Sequence, residues 1–317
     1  MYQVAIIGAG QLGSRHLQGL KGAASSLAIT VMDSSKDSLQ VSKERYEAIL
    51  SVGEKSIEYV TSVQELPKEL DLVIIATGSK PRAAIIKSLL DNCSVKYLIL
   101  EKVLFPVINE YKEIETLLKT RQIRCWVNCP RRMFGMYKQI KETIDTTKPI
   151  YMTNADEDWG LCCNAIHMID LFMYLTEETS YSVETKFLNK EIEDSKRGGY
   201  IEMTGTLKIH TPKGNELTLI SEKNYTGEKN FLVENGDNLY GISEGEGFCL
   251  HNKKYEYAMP YQSQLTGVLA DEILKTGGCS LTPYQTSVLY HKPFIEAMLE
   301  RYNEIKGTPD NKLLPIT

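Results

Sequence analysis

The chain has 317 residues, with 36 Lys and Arg against 41 Asp and Glu, a formal net charge of -5 at pH 7 and a hydrophobic content of 42%. There is no basic excess to neutralise a phosphate backbone, which argues against nucleic-acid binding, and no run of about 18 apolar residues that would span a membrane. The amino terminus lacks the basic stretch and long apolar run of a secretory signal. The seven cysteines include no C-x-x-C pair and read as reduced thiols, so a cytoplasmic setting is expected.

At about 150 residues per domain the length suggests two domains. In the first part strands and helices alternate. Residues 4–7 form a short apolar run, 12–21 a helix, 27–32 a second run and 38–50 another helix. Strands at 57–60, 72–76, 97–100 and 125–127 are interleaved with helices at 81–90 and 111–119. This rhythm predicts a doubly wound α/β parallel sheet, the Rossmann arrangement, over residues 1–123. A helix at 134–143, an extended stretch at 149–157 and a compact apolar helix at 164–175 follow. From residue 201 the period becomes two: Ile201, Met203, Gly205, Leu207 and Ile209 alternate with Glu202, Thr204, Thr206 and Lys208. Further strands are expected at 184–188, 216–221, 231–234, 239–243 and 248–251, and closing helices at 262–275 and 286–305. Residues 124–317 are therefore expected to be an α+β domain with a large, mostly antiparallel open sheet and helices on one face.

Gly8-Ala9-Gly10-Gln11-Leu12-Gly13 is a G-x-G-x-x-G turn between a strand and a helix. Gly8 permits the tight turn, Gly10 lets a pyrophosphate approach the backbone, and Gly13 lets helix and strand pack closely. The N–H groups at the helix start favour an anion. Asp33, at the end of the second strand, suits the ribose hydroxyls of NAD and repels the 2′-phosphate of NADP; its alternative is to cap the next helix. Ser34 follows it. Ala76, Thr77 and Gly78 end the 72–76 strand, where ligands gather in such sheets. Gly8, Gly10, Gln11, Leu12, Gly13, Asp33, Ser34, Ala76, Thr77 and Gly78 are the candidate cofactor residues, joined by Glu101 at the end of another strand. His16, in the first helix, receives no chemical role. No metal site is expected, since no zinc-like spacing occurs.

Taken together, Arg15-His16 after the fingerprint, Ile75-Ala76-Thr77, Glu101-Lys102, Arg131-Arg132, and Gly160 followed by Ile166-His167-Met168-Ile169-Asp170 resemble the glucose–fructose oxidoreductase/inositol dehydrogenase (Gfo/Idh/MocA) family. The resemblance touches both expected domains. It implies an NAD-dependent oxidoreductase acting on a secondary hydroxyl or keto carbon of a sugar, polyol or nucleotide sugar. It further implies a homodimer or homotetramer formed through the second sheet. Lys102 is implied to lie beside nicotinamide and substrate, where an ammonium stabilises charge on the substrate oxygen. His167 is implied to be the general acid/base, since imidazole titrates near neutral pH; on its own it reads equally as a core histidine. Arg132, Trp159, Asn164 and Asp170 are the candidate substrate residues, with a structural ion pair the alternative for Arg132 and core packing for Trp159. Two positions depart from the family: Val103 replaces the proline of Glu-Lys-Pro, and Cys163 stands where many members have an aspartate four residues before the histidine. Alternatives that stay open are reduction of an imine or linear tetrapyrrole, and an NAD-binding sensor or scaffold without turnover.

Overall fold

The computed structural model describes residues 1–317, the side chain of Ser263 excepted. Two compact units result. The first comprises Met1–Phe105, Lys112–Asn128 and Pro260–Tyr284, the second Pro106–Tyr111, Cys129–Met259 and Gln285–Thr317.

The first unit is built on β1 (Tyr2–Ile7), β2 (Leu27–Met32), β3 (Lys55–Val60), β4 (Glu69–Ile75), β5 (Ser94–Leu100) and β6 (Arg124–Val127). These pair in parallel in the order β6-β5-β4-β1-β2-β3. Continuous apolar runs suit strands covered on both faces: Val4 to Ile7 and Leu72 to Ile75 are almost wholly buried. Helices α1 (Gln11–Lys21), α2 (Lys36–Glu47), α3 (Ser79–Asn92) and α4 (Ile108–Thr120) connect them. The carboxyl ends of β1, β2, β4 and β5 therefore deliver Gly8, Asp33, Ala76 and Glu101 to one edge.

Residues 260–284 return to this unit, whereas a single cut between residues 123 and 124 would leave them in the second. The sequence period gives no hint of it; the reason is close helix packing. In α7 (Gln262–Thr276) a Cβ on Gly267 would stand 2.5 Å from the Gly19 carbonyl oxygen of α1, and a Cβ on Gly19 would stand 2.6 Å from Thr266 Cβ. Asp271 accepts the backbone N–H groups of Ala24 (2.7 Å) and Ser25 (2.9 Å). The two-residue β16 (Thr282–Pro283) then adds antiparallel to β6.

The second unit holds a nine-stranded sheet. Its strands are β7 (Ile150–Glu157), β8 (Ser182–Glu184), β9 (Leu188–Asp194), β10 (Ile201–His210), β11 (Glu216–Glu222), β12 (Asn230–Asn235), β13 (Asn238–Ser243), β14 (Phe248–His251) and β15 (Lys253–Glu256). Only β7 and β11 pair in parallel. Met203, Leu207 and Ile209 alternate inward as their period predicts. The strand expected at 184–188 is instead split into β8 and β9, which pair with different stretches of β10. Gly205 makes room for that split: its φ is +112° and a Cβ there would stand 2.6 Å from the Phe187 carbonyl oxygen. The helices are α5 (Gly135–Thr143), α6 (Leu161–Thr176) and α8 (Tyr284–Lys306). α6 is apolar nearly all round and correspondingly buried.

Gly267→Val is expected to lower unfolding stability by about 1–3 kcal/mol, because the added carbons meet backbone that must move. An unchanged urea midpoint would show that α7 does not need this close approach.

Candidate active site

At the start of α1 the glycine turn leaves no latitude. A Cβ on Gly13 would lie 1.7 Å from the Gly8 carbonyl oxygen, whereas one on Gly10 would meet nothing within 4 Å. Gly8 has φ +97°, in the region that favours glycine. α1 has neither a side-chain cap nor an acidic residue in its first turn, so its first N–H groups suit an anion. Arg45 of α2 donates to Gln11 Oε1 (2.7 Å) and Ser14 Oγ (2.6 Å), adding positive charge beside them. Leu12 is half-buried within this turn. Asp33 accepts the Ala9 N–H at Oδ2 (2.7 Å) and the Ser35 N–H at Oδ1 (2.8 Å). The cap of α2 is Ser35, which accepts from Ser38 N–H, so the capping alternative for Asp33 does not hold. A cavity of about 290 Å³ lies here, with Ile7, Met32, Val63 and Ile85 as apolar walls and Gly8, Asp33, Ser34 and Thr77 at its polar side. The buried Thr77 hydroxyl has no hydrogen-bond partner among the described residues. A bare helix start, a clear approach at Gly10 and an orphaned hydroxyl beside a carboxylate fit a dinucleotide. Ala76 hydrogen-bonds Ile7 through its N–H (2.8 Å), and Gly78 begins α3 without a side-chain cap.

Glu101 is buried in a polar network. Its Oε1 lies 2.8 Å from His16 Nε2 and accepts from Asn128 Nδ2 at 2.5 Å. His16 Nδ1 lies 2.9 Å from Thr266 Oγ1. Asn128 also donates to Gln262 Oε1, and Gln262 donates to Thr266 Oγ1. One ring of side chains thus ties α1, α7 and the ends of β5 and β6. Burial pushes the Glu101 carboxyl up, but His16, Asn128 and Lys102 outweigh it and leave it below its ordinary range. Lys102, the next residue, is also buried, and the Lys102–Val103 peptide is cis.

In the second unit His167 sits half-buried in α6, one turn after the half-buried Cys163. Asn164 donates Nδ2 to the Trp159 carbonyl (2.7 Å), and Trp159 donates Nε1 to the Ile220 carbonyl (2.7 Å), so both are tied to backbone. Arg132 donates through Nε to Asp170 Oδ1 at 2.9 Å and through Nη2 to the Asp170 carbonyl at 3.3 Å. That is the ion-pair alternative, with Asp170 almost wholly buried. Glu202 of β10 accepts the Cys162 N–H (2.8 Å), placing a carboxylate at the positive end of α6. Arg131 grips Glu244 with Nε at 2.7 Å and Nη2 at 2.8 Å, and Tyr137 donates its hydroxyl to the same carboxylate. Burial raises the Glu244 carboxyl; Arg131 and Tyr137 bring it below its ordinary range. Glu244 borders a second cavity of about 290 Å³, lined also by Asn154, Asp156, Asn230, Phe231, Ile242 and Ser243.

Residues 2–129 match the profile described as an oxidoreductase family with an NAD-binding Rossmann fold, Gfo/Idh/MocA. Over these residues, the dinucleotide-binding part of the chain, the sequence is similar to the Gfo/Idh/MocA oxidoreductases. No curated protein sequence matches it. Solved structures share its fold. Biliverdin reductase from Synechocystis sp. PCC 6803, in complex with biliverdin and NADP+, has a TM-score of 0.69 at 15% identity, over 94% of this chain and 98% of that one. UDP-N-acetylglucosamine 3-dehydrogenase from Acidithiobacillus ferrooxidans gives 0.69 at 14%, over 98% and 99%. Scyllo-inositol dehydrogenase from Lactobacillus casei gives 0.66 at 15%, over 96% of each chain.

Sequence reasoning gave no role in this network to His16, Asn128, Gln262 or Thr266, which are scattered along the chain; Gln262 and Thr266 join it only through the return of α7. It also missed Glu202 and the polar residues of the second cavity, for which strand alternation gives no chemical signal.

Because the folded-state value of Glu101 is depressed, its contribution to stability is present above the unfolded value of about 4.3 and is lost as pH falls through the folded one. Glu101→Gln is therefore expected to lower the melting temperature at pH 7, and the gap to wild type should close only as pH falls through the depressed folded value. A pH-independent gap between the two melting curves would contradict this.

Proposed function

We propose that this protein is an NAD(H)-dependent dehydrogenase or reductase of CH–OH groups, moving hydride to or from a secondary carbon of a sugar, polyol or nucleotide sugar. The observation that carries the reading is one sheet edge in the first unit. It brings together the glycine turn, the Asp33 carboxylate and the Glu101-Lys102 dipeptide. Gly8, Gly10, Gly13 and the start of α1, with Gln11 and Leu12, would hold the pyrophosphate. Asp33 and Ser34 would meet the adenosine ribose, which favours NAD over NADP. Ala76, Thr77 and Gly78 would line the crevice beyond. The nicotinamide supplies or accepts the hydride when bound. Lys102 polarises the substrate oxygen and stabilises the negative charge that grows on it. His167 exchanges the hydroxyl proton, a role it takes from the family resemblance. The residue is half-buried in α6, and an imidazole can pass a proton near neutral pH. Glu101, held by His16 and Asn128, acts as the frame behind Lys102 rather than as a cofactor ligand.

One observation favours a second reading, an NAD-binding sensor without turnover. Position 163 carries a cysteine rather than the carboxylate that would lend basicity to a histidine one turn away.

A panel of sugars, polyols, nucleotide sugars and linear tetrapyrroles, followed at the NADH absorbance band, separates the two. Turnover with a hydroxylated substrate is expected, and tight NADH binding with no turnover on any compound would favour the sensor. Lys102→Ala should cut turnover by about 10²–10³-fold with NADH affinity within a few-fold of wild type. Wild-type turnover in that variant would remove the lysine from the chemistry. Asp33→Ala should shrink the preference for NAD over NADP by about tenfold, and an unaltered ratio would reject its ribose role.

A further inference from the structure

Arg82, in the first turn of α3, is among the largest fully buried side chains, with 1% of its surface exposed. Burying a guanidinium is costly unless its fork of donors is satisfied. Here Nη1 donates to the carbonyls of Val103 and Leu104, the latter at 2.9 Å, and Nη2 donates to the carbonyl of Thr77. These carbonyls lie just past the ends of two paired strands. The β4–β5 ladder closes with the Glu101 N–H on the Ile75 carbonyl at 3.1 Å. Beyond that bond Arg82 spans the gap between the two strand ends.

Lys102 falls between the last ladder bond and the first carbonyl that Arg82 holds. Its backbone is thus fixed on one side by Glu101, whose carboxylate is bound by His16 and Asn128, and on the other by the guanidinium. We propose that Arg82 is a positioning residue for Lys102: it ties the segment after the lysine to Thr77 on the cofactor edge and so sets where the ammonium stands. An apolar side chain of similar length would fill the volume and leave the carbonyls ungathered. The inference rests on the dehydrogenase reading above, and adds to it a residue that touches neither cofactor nor substrate.

Arg82→Met tests it by keeping the length and removing the donors. The variant should fold cooperatively and bind NADH within about threefold of wild type. Its kcat on the best substrate of the panel should fall about ten- to a hundredfold at little-changed KM, as a small misplacement of a catalytic group does. Combined with Lys102→Met, Arg82→Met should cost no further kcat, since both act through one ammonium. Unchanged kcat, or losses that multiply in the double variant, would overturn the proposal. If Arg82→Met does not fold, Arg82→Lys serves under the same criteria, and failure of both to fold assigns the residue to stability alone and overturns it as well. A crystal structure of the variant supplies a readout without substrate. Lys102 Nζ should shift by about 1 Å or more with β5 in place, and an unmoved ammonium sinks the idea. Wild type that binds no NADH would sink the dehydrogenase reading, while the crystallographic result would still decide whether Arg82 places Lys102.

Discussion

The turn from β1 into α1 permits one backbone path, because a single carbon added at Gly13 would fall 1.7 Å from the Gly8 carbonyl oxygen. That contact fixes how close the helix starts to the strand, and hence where its unsatisfied N–H groups point. Everything at the first unit's carboxyl edge is referred to this geometry. Asp33 reaches across from β2 to the Ala9 N–H, so its carboxylate is held at the same turn rather than at the helix that follows it. Arg45 adds its charge from α2 on the other side of the helix start.

A second constraint is polar and buried. Strand ends in a parallel sheet leave backbone groups without ladder partners, and side chains or water must take them. At β5 the chain uses charged side chains on both sides of one dipeptide: the Glu101 carboxylate inside a ring with His16 and Asn128, and the Arg82 guanidinium on the carbonyls that follow. Such groups are expensive to bury and specific in direction. An apolar filling of the same space would stabilise the unit as well, but it would not fix the direction in which Lys102 leaves the strand.

How much of this was legible follows the range over which each signal acts. The glycine turn, the strands from Tyr2 to Val127 and the two-residue period of β10 are local patterns, and each stands where its spacing puts it. The segment at 184–188 misled because its register depends on Gly205, some twenty residues away, where two backbones approach. β15 escaped notice because Lys253, Lys254 and Glu256 are charged, as befits an edge strand that must not recruit another chain. The return of α7 was invisible for the same physical reason as the Glu101 ring. Gly19, Gly267, His16 and Thr266 have meaning only as pairs, and the members of each pair stand about 250 residues apart.

In the second unit, polar residues expected to bind substrate also make hydrogen bonds within the chain. Arg132 and Asp170 satisfy each other, and Asn164 and Trp159 are tied to backbone carbonyls. The polar atoms that border open space there belong to residues with no motif, among them Asn154, Asn230 and Ser243. The buried Asn230 amide oxygen has no hydrogen-bond partner among the described residues. A buried acceptor left open in a cavity wall is costly unless something else donates to it.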